Sequence, residues 1–312
     1  MNNQPFDLIF GTGPLGRSVM VELLGYGRKV RMANTSGKAS GLPGDVEVVR
    51  CNAYAVEEVE ACCRGARVVY VCVQPPYHEW PQKFPSLIRS IAEGVMRTGA
   101  KLVLGDNLYM YGQTVGSIHE ELPYAATTRK GKVRSEVARY VLGLHQKGNL
   151  QTVIGRGSDF FGPYVLGSTL GSRVFPALLQ GKACSLIGHI DLPHTFTYIG
   201  DFGKSLVLLG ETESAYGQAW HVPNAPTMTP RQVAELAYRL AGKQPKIRSM
   251  GRVMIAIGGL FIKEARESME MMYAFEQPYV VDSSKFFRTF GDISSPWETS
   301  LQATLDWYAS LR

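Results

Sequence analysis

The sequence lacks the residue groupings that are typical of metal sites and serine hydrolases. None of its six histidines belongs to an H-x-x-x-H or H-E-x-x-H motif, and none has a cysteine at ligand spacing. The nucleophile motif G-x-S-x-G is also absent. We therefore expect no metal and disfavour a serine hydrolase.

Cysteine is scarce, and its spacing forms no framework. No C-x-x-C pair occurs, which predicts reduced and mostly structural thiols. The first five residues are polar and do not resemble a signal peptide, so we expect a cytoplasmic protein. The five cysteines are Cys51, Cys62, Cys63, Cys72 and Cys184.

Long apolar runs and runs of like charge are also missing. The apolar segment 253–262 is about half as long as the roughly 20 residues that span a bilayer. It predicts a buried helix or a lid, with membrane-surface or partner docking as the lesser alternative. The net charge is +6, but Lys and Arg are scattered singly, so we expect no nucleic-acid partner and a mild attraction for anionic small molecules.

A glycine turn near the N-terminus is the most informative feature present. The apolar run 8–10 leads into G-x-G-x-x-G, and an apolar stripe at helical spacing and a second apolar run, 30–33, follow. This pattern predicts a βαβ unit that binds a dinucleotide pyrophosphate at a helix N-terminus. An ordinary tight turn is the alternative. The turn residues are Gly11, Thr12, Gly13, Pro14, Leu15 and Gly16.

The end of the second predicted strand indicates which dinucleotide binds. An acidic residue there favours NAD, whereas a cation accommodates the 2′-phosphate of NADP. No carboxylate is present, and hydroxyls and a lysine could hold a phosphate. We therefore predict NADP, with NAD possible; a solvated loop lysine is the alternative. The residues are Asn34, Thr35, Ser36 and Lys38.

Strand-like and helical runs alternate over the first half of the chain. Apolar runs at 46–49, 68–73 and 102–104 alternate with helical patterns at 56–64 and 84–98. This order predicts an α/β protein with a Rossmann-type, doubly wound parallel sheet and a smaller, interleaved C-terminal substrate lobe. We place the dinucleotide-binding domain at 1–160 and the lobe at 161–312, with about 190–205 returning to the first domain.

Several short segments occur in the order found in one enzyme family. They are Asn52-Ala53, Y-M-Y-G at 109–112, R-G-S-D-F-F-G-P at 156–163 and H-T-F-T-Y-I-G-D at 194–201. Together with the glycine turn, they resemble extended or atypical short-chain dehydrogenase/reductases of the NAD-dependent epimerase/dehydratase family. The resemblance implies further cofactor contacts at Asn52, Ala53, Val73, Gln74 and Lys132, and a possible homodimer.

The chain departs from that family at its catalytic residues. The family uses Tyr-x-x-x-Lys, and the best match here is Thr128 with Lys132. A threonine hydroxyl is a poor proton donor near neutral pH. The usual serine is replaced by Asn107. Asn107, Tyr109 and Tyr111 are predicted to alternate along the end of one strand, so the first two should share a face, and Tyr109 is our candidate proton donor. Its alternative role is an aromatic wall, and Tyr111 is expected to pack.

Polar and aromatic residues elsewhere are candidates for substrate binding. Tyr77, His78 and Trp80 follow the fourth predicted strand, where strand-end loops border the ligand crevice. Asp159 and His194 are candidates for substrate contact or acid–base chemistry. A hydrogen-bonded structural role is the alternative for His194.

Three functions remain open on these observations. The leading one is an NAD(P)-dependent oxidoreductase acting on the carbonyl or alcohol of a small organic molecule. A sugar-nucleotide epimerase or dehydratase is a close variant. The third is a catalytically silent NADP-binding sensor or assembly protein, which the loss of the usual tyrosine and serine would permit.

Overall fold

A computed structural model describes residues 5–258 and 263–311. The first elements are β1 (Phe6–Phe10), α1 (Pro14–Gly25), β2 (Val30–Asn34), β3 (Glu47–Arg50), α2 (Val56–Cys63), β4 (Ala66–Val71), α3 (Trp80–Met96), β5 (Lys101–Asp106), α4 (Arg129–Gln146) and β6 (Thr152–Arg156). The later elements are β7 (Asp159–Phe161), α5 (Phe175–Leu179), β8 (Cys184–Ile187), β9 (Phe196–Tyr198), α6 (Ile199–Glu211), β10 (Ala219–His221), α7 (Pro230–Leu240), β11 (Ile247–Met250), α8 (Arg252–Gly258), α9 (Lys263–Ser268), α10 (Ser284–Phe290) and α11 (Trp297–Ser310).

The six strands of the first half of the chain and β10 form a seven-stranded sheet, in the order β10-β6-β5-β4-β1-β2-β3. Strands β1 to β6 pair in parallel. All five residues of β1 are buried, as expected for a parallel strand covered on both faces. The predicted α/β, Rossmann-type fold class is confirmed. The strand order reverses between β1 and β4, which is where such sheets bind ligands.

The chain divides into two compact units. The first comprises 1–110, 130–156 and 202–220, and it holds the large sheet. The second comprises 111–129, 157–201 and 221–312. Its core packs α5, α7 and α11 around small parallel strand pairs, β7 with β9 and β8 with β11.

The apolar segment 253–262 is only partly described. In α8, Ile255 is buried, but Val253, Met254 and Ile257 are more than half exposed. The expected buried helix is therefore wrong for this part, because α8 turns a single residue inward. Residues 259–262 lie outside the described residues. Within the described ranges, each helix is too short or too polar to cross a bilayer.

Candidate functional site

Close backbone contacts shape the glycine turn between β1 and α1. Gly11 has φ +106°, and a Cβ there would lie 2.8 Å from the Cys72 carbonyl oxygen. A Cβ at Gly16 would lie 2.1 Å from the Gly11 carbonyl oxygen, so both positions require glycine. Gly13 differs, because a Cβ there would meet nothing within 4 Å. The middle glycine therefore borders open space at the start of α1, where amide groups favour an anion.

Asn34 folds the loop that follows β2. Its Oδ1 accepts hydrogen bonds from the Ser36 and Gly37 amides at 3.0 and 2.7 Å. Its Nδ2 donates to the Thr12 Oγ1 at 3.1 Å, which joins this loop to the glycine turn. The structure thus brings two groups of predicted cofactor residues together. Thr35, Ser36 and Lys38 lie on this loop, and all three are exposed.

Arg17 is a second cation at the same place, and the sequence analysis missed it. Its guanidinium donates to the carbonyl oxygens of Thr12, Ser40 and Gly41 at 3.1, 2.6 and 3.0 Å. Its position could have indicated this role from the sequence, because Arg17 directly follows the last glycine of the motif, in the first turn of α1. Arg17 links the start of α1 to the β2 loop that carries Lys38.

The other predicted cofactor residues lie after β3 and β4. Asn52 is exposed, and its Oδ1 accepts a hydrogen bond from the Tyr54 amide at 3.2 Å. Ala53 is half-buried in the same turn. Val73 and Gln74 follow β4, and the Gln74 Oε1 accepts a hydrogen bond from the Arg134 Nη2 at 2.6 Å. The ends of β1 to β4 therefore carry the predicted dinucleotide residues.

The predicted alternation of Asn107, Tyr109 and Tyr111 along one strand is wrong. β5 ends at Asp106, and 109–111 form a 3₁₀ turn. The reason is side-chain competition for the backbone: Asp106 Oδ1 accepts from the Asn107 amide at 2.8 Å, and Asn107 Oδ1 accepts from the Tyr109 amide at 3.1 Å. Asn107 and Tyr109 still lie close together and half-buried. Tyr111 packs, as expected, with its hydroxyl 2.9 Å from the His221 Nε2.

A buried ion pair closes the end of β5. The Arg134 Nη1 donates to the Asp106 Oδ1 at 2.8 Å, with side chains 4% and 0% exposed. Arg156 lies opposite Asp106 in the β5–β6 register, and its Nε is 3.9 Å from the Asp106 Oδ2. The cluster therefore sets two guanidinium groups against one carboxylate in a buried region, where charge is costly.

The surroundings of Arg134 act on its charge in opposite directions. Burial lowers the pKa of Arg134, whereas the charge of Asp106 and the ionised forms of Tyr109 and Tyr77 raise it. The guanidinium also stacks over the Trp80 and Phe84 rings at 4.0 and 4.3 Å. Arginine keeps its proton in proteins, so Arg134 is a fixed positive charge close to both tyrosines.

Helix α4 presents different cations from those that the motif match selected. Lys130 is 1% exposed and Arg134 is 3% exposed, whereas Lys132 is exposed on the other side of the helix. The spacing of four places Lys130 and Arg134 one turn apart on the buried face. Thr128 precedes α4 in the second unit, with its Oγ1 3.9 Å from the Met271 Sδ. The roles assigned to Lys132 and Thr128 stay predictions.

An aromatic cluster joins these cations to the loop after β4. The Lys130 Nζ lies 4.4 Å from the Tyr77 ring centroid. The Trp80 ring is 4.8 Å from that of Tyr77 and 6.2 Å from that of Tyr109. Trp80 is 2% exposed, whereas the Tyr77, His78 and Tyr109 side chains are partly exposed. The partly exposed members are thus the ones with surface to offer a ligand.

Asp159 and His194 form a pair within the second unit. The His194 Nε2 lies 2.8 Å from the Asp159 Oδ2. The imidazole is 3% exposed and stacks on the Phe275 and Tyr279 rings, at centroid distances of 5.2 Å each. The Asp159 side chain is 21% exposed. His194 is therefore positioned to orient the carboxylate, and the substrate contact predicted for both stays a prediction.

Side chains that could bind a metal are dispersed in the part of the chain that the structure describes. Within 5–258 and 263–311, no three His, Cys, Asp or Glu side chains converge on a common point in a way that could bind an ion. The donors found near the sheet edge are amides, hydroxyls and cations, which suit an anionic ligand.

Comparisons with known proteins identify the architecture. The sequence matches no protein-family model and none of the curated proteins compared with it. Similar solved structures include a UDP-glucose 4-epimerase of Thermus thermophilus in complex with NAD, at 16% identity and TM-score 0.78, covering 98% of this chain and 99% of that one. The chain shares its fold. At this identity, the likeness concerns the fold alone.

Two further structures support the same conclusion. One is DesIV, a dTDP-glucose 4,6-dehydratase from Streptomyces venezuelae with NAD and TYD bound, at 14% identity and TM-score 0.76, covering 97% of each chain. The other is MoeE5 in complex with UDP-glucuronic acid and NAD, at 15% identity and TM-score 0.78, covering 98% of this chain and 100% of that one. The chain thus has the fold of NAD-bound epimerase/dehydratase structures over almost its whole length.

Proposed function

We propose that this chain is an NAD(P)-dependent enzyme that transfers hydride between a nicotinamide cofactor and the carbonyl or alcohol of a small organic substrate. The observation that carries the proposal is the glycine turn at the sheet's switch point. Gly11 and Gly16 are forced by backbone contacts, whereas Gly13 borders open space at the start of α1. A pyrophosphate can approach the backbone closely at such a place.

We propose NADP as the preferred dinucleotide. The end of β2 carries Asn34 rather than a carboxylate, and Asn34 is occupied in folding its own loop. Lys38 is exposed on that loop, and Arg17 donates hydrogen bonds to the carbonyl oxygens of Ser40 and Gly41 on the same loop. Two cations at the ribose end favour a 2′-phosphate. The similar solved structures named above contain NAD, so the binding preference requires direct measurement.

We propose Tyr109 as the proton donor. When bound, the cofactor supplies or accepts the hydride, and the protein must supply the proton. The Tyr109 phenol is partly exposed and lies in the electrostatic field of Arg134. Asn107 uses its Oδ1 to accept from the Tyr109 amide, and its Nδ2 is the donor that a substrate oxygen would meet.

We further propose that Lys130 and Arg134 supply the positive charge that the motif match assigned to Lys132. Both are on the buried face of α4, and both contact the aromatic residues that surround the proposed donor. A fixed positive charge near Tyr109 would stabilise the negative charge that forms on its oxygen during proton transfer. Lys132 is exposed on the opposite side.

The substrate class follows from the same chemistry. A carbonyl or alcohol oxygen is the group that Tyr109 and Asn107 could contact, and a sugar nucleotide is a specific candidate. MoeE5 was solved with UDP-glucose and with UDP-glucuronic acid.

A catalytically silent NADP-binding protein is the second candidate. The Asp106–Arg134 ion pair favours it, because this buried salt bridge between β5 and α4 is formed by sequence neighbours of Asn107 and Lys132, the positions that the motif match assigns to the family's serine and lysine. Such a pair orders the two elements without any substrate. The two candidates share cofactor binding and differ in turnover.

The distinguishing experiment combines binding with a reduction screen. Wild-type protein is titrated with NADPH and then supplied with carbonyl compounds and sugar nucleotides while NADPH absorbance is followed. Binding with turnover that Tyr109→Phe abolishes supports the enzyme. Binding without turnover of any substrate supports the silent protein, and no binding of NADPH or NADH contradicts both.

A further inference from the structure

Two cysteines lie close together at the ends of β3 and α2, next to residues predicted to bind the adenosine end of a dinucleotide. Cys51 directly follows β3 and is buried, and Cys62 lies in the last turn of α2 and is half-buried. The Cys62 Sγ is 4.0 Å from the carbonyl oxygen of Arg50, the neighbour of Cys51. That oxygen belongs to the peptide unit that leads into Cys51, so the Cys62 sulfur lies beside the Cys51 backbone. Side chains placed in this way need only a local adjustment to reach an S–S bond length of about 2.05 Å.

The two thiols have different surroundings, which assigns them different roles. The neighbouring Cys62 thiol and burial raise the pKa of Cys51. The neighbouring Cys51 thiol lowers the pKa of Cys62, burial opposes this effect, and the charge of Arg31 lowers the pKa further. The Arg31 Nη1 also donates to the Cys62 carbonyl oxygen at 3.4 Å. Cys62 is half-buried beside the Arg31 guanidinium, whereas Cys51 is buried, so Cys62 is the thiol that meets an oxidant first.

The other cysteines are poor competitors for an oxidant. Cys63 is fully buried, and burial raises its pKa. Burial also raises the pKa of Cys72 and of Cys184. Because a thiolate is the reactive form, the Cys51–Cys62 pair is the favoured site of oxidation within the chain.

We propose that Cys51 and Cys62 form a reversible disulfide when the protein meets hydrogen peroxide, and that this bond weakens dinucleotide binding. The Cys62 thiolate attacks one peroxide oxygen, an S–O bond forms, the O–O bond breaks, and hydroxide leaves to become water with the proton that Cys62 released. The Cys51 sulfur then attacks the Cys62 sulfur; the S–S bond forms, the S–O bond breaks, and the oxygen departs as a second water with the Cys51 proton. Two thiols are oxidised, and one peroxide is reduced to two waters.

The coupling to dinucleotide binding rests on the proposed function. The Cys51 amide donates to the Asn34 carbonyl oxygen at 2.8 Å, at the end of β2. Asn52 and Ala53 follow Cys51 directly, and these are the residues expected near the adenine. Drawing the Cys51 sulfur towards α2 therefore moves the backbone between both groups of predicted cofactor residues.

The test treats the full-length protein with hydrogen peroxide, alkylates the remaining thiols and measures the intact mass. Trypsin leaves Cys51, Cys62 and Cys63 in one peptide, so a glutamate-specific protease must cut between them at Glu57, Glu58 or Glu60. We expect the loss of two hydrogens, two protected thiols and a linked peptide, all reversed by dithiothreitol. Cys62→Ser abolishes the link, and Cys63→Ser, the matched neighbour, retains it.

NADPH titration of the reduced and oxidised forms tests the coupling. We expect oxidation to lower the NADPH affinity about tenfold and, by reciprocity, bound NADPH to slow the oxidation. If both thiols still react with the alkylating reagent after peroxide treatment, or if Cys62 becomes a sulfinic acid without a link to Cys51, the proposed disulfide is wrong. An unchanged NADPH affinity in the linked form overturns the coupling. The mass readout decides the disulfide even if reduced protein binds no dinucleotide, so failure of the proposed function is recognised separately.

Discussion

Arg134 on α4 donates to Asp106 at the end of β5 over 2.8 Å, and both side chains are almost completely shielded from water. The same guanidinium donates to Gln74 after β4. One side chain therefore ties together the ends of two adjacent strands and the first turns of the following helix. This arrangement fixes the position of Lys130, one turn earlier, over the Tyr77 ring.

Asp106→Asn should strongly destabilise the first unit. It leaves Arg134 and Arg156 buried without their carboxylate, and removing one member of a buried pair costs about 3–5 kcal/mol. Urea unfolding followed by circular dichroism measures the effect. The matched control is Arg64→Met, which removes an exposed i,i+4 pair with Glu60 and should leave the midpoint unchanged. Equal midpoints for the two variants would contradict the structural role of the buried pair.

The two lysines of α4 can be separated by paired variants. We expect Lys130→Met to lower turnover about a hundredfold, because it removes a fixed charge from the proposed donor's surroundings. Lys132→Met should leave turnover and NADPH affinity unchanged, since its side chain is exposed. Partial recovery in Lys130→Arg would indicate a role of charge rather than packing. A larger loss of turnover in Lys132→Met than in Lys130→Met would instead support the catalytic role that the motif match assigned to Lys132.

Tyr109→Phe removes the proposed proton donor while keeping the aromatic ring. The ring contact with Trp80 should persist, so NADPH affinity is expected to match that of the wild type. Turnover should fall by about 10²–10⁴. Steady-state kinetics and calorimetry measure the two properties, with Tyr140→Phe on α4 as a control. Full activity in Tyr109→Phe would eliminate Tyr109 as the donor.

Gly16→Ala tests the packing of the phosphate loop. The added methyl would meet the Gly11 carbonyl oxygen at 2.1 Å, and overpacking of this kind costs about 1–3 kcal/mol. Gly25→Ala is the control, because it lies in the same helix with nothing within 4 Å of its Cβ and alanine favours a helix. Thermal melting compares them. A Gly16→Ala protein as stable as the wild type would show that the turn adjusts freely.

The first βαβ unit could be predicted from the sequence because its glycines have backbone roles that other residues cannot fill. Gly11 needs a positive φ, and Gly16 needs the absence of a Cβ. The end of β5 could not be predicted in the same way. Apolar alternation continues past Asp106, but the side chains of Asp106 and Asn107 hydrogen-bond to nearby amides and turn the chain.

The cations of α4 show what the motif match missed. The motif match selected Lys132 because it lies four residues after Thr128, the spacing of Tyr-x-x-x-Lys. The helical period indicated a different lysine. The apolar residues Val133, Val137 and Val141 repeat every four positions and mark the inner face of α4, and Lys130 and Arg134 flank Val133 on that face. That stripe assigns Lys130 and Arg134 to the inner face. The Asp159–His194 contact joins residues far apart in sequence, which no local pattern reveals.

Dinucleotide binding is the claim on which the account depends, and Gly13 provides its most direct test. A side chain at this position meets no protein atom within 4 Å, and φ is −78°, so Gly13→Asp should fold normally. Calorimetry with NADPH and NADH, on wild type, Gly13→Asp and Lys38→Ala, is the measurement. We predict tight NADPH binding by the wild type, loss of both dinucleotides in Gly13→Asp, and selective loss of NADPH in Lys38→Ala. A wild-type protein that binds neither, or a Gly13→Asp variant that binds both unchanged, would contradict the account.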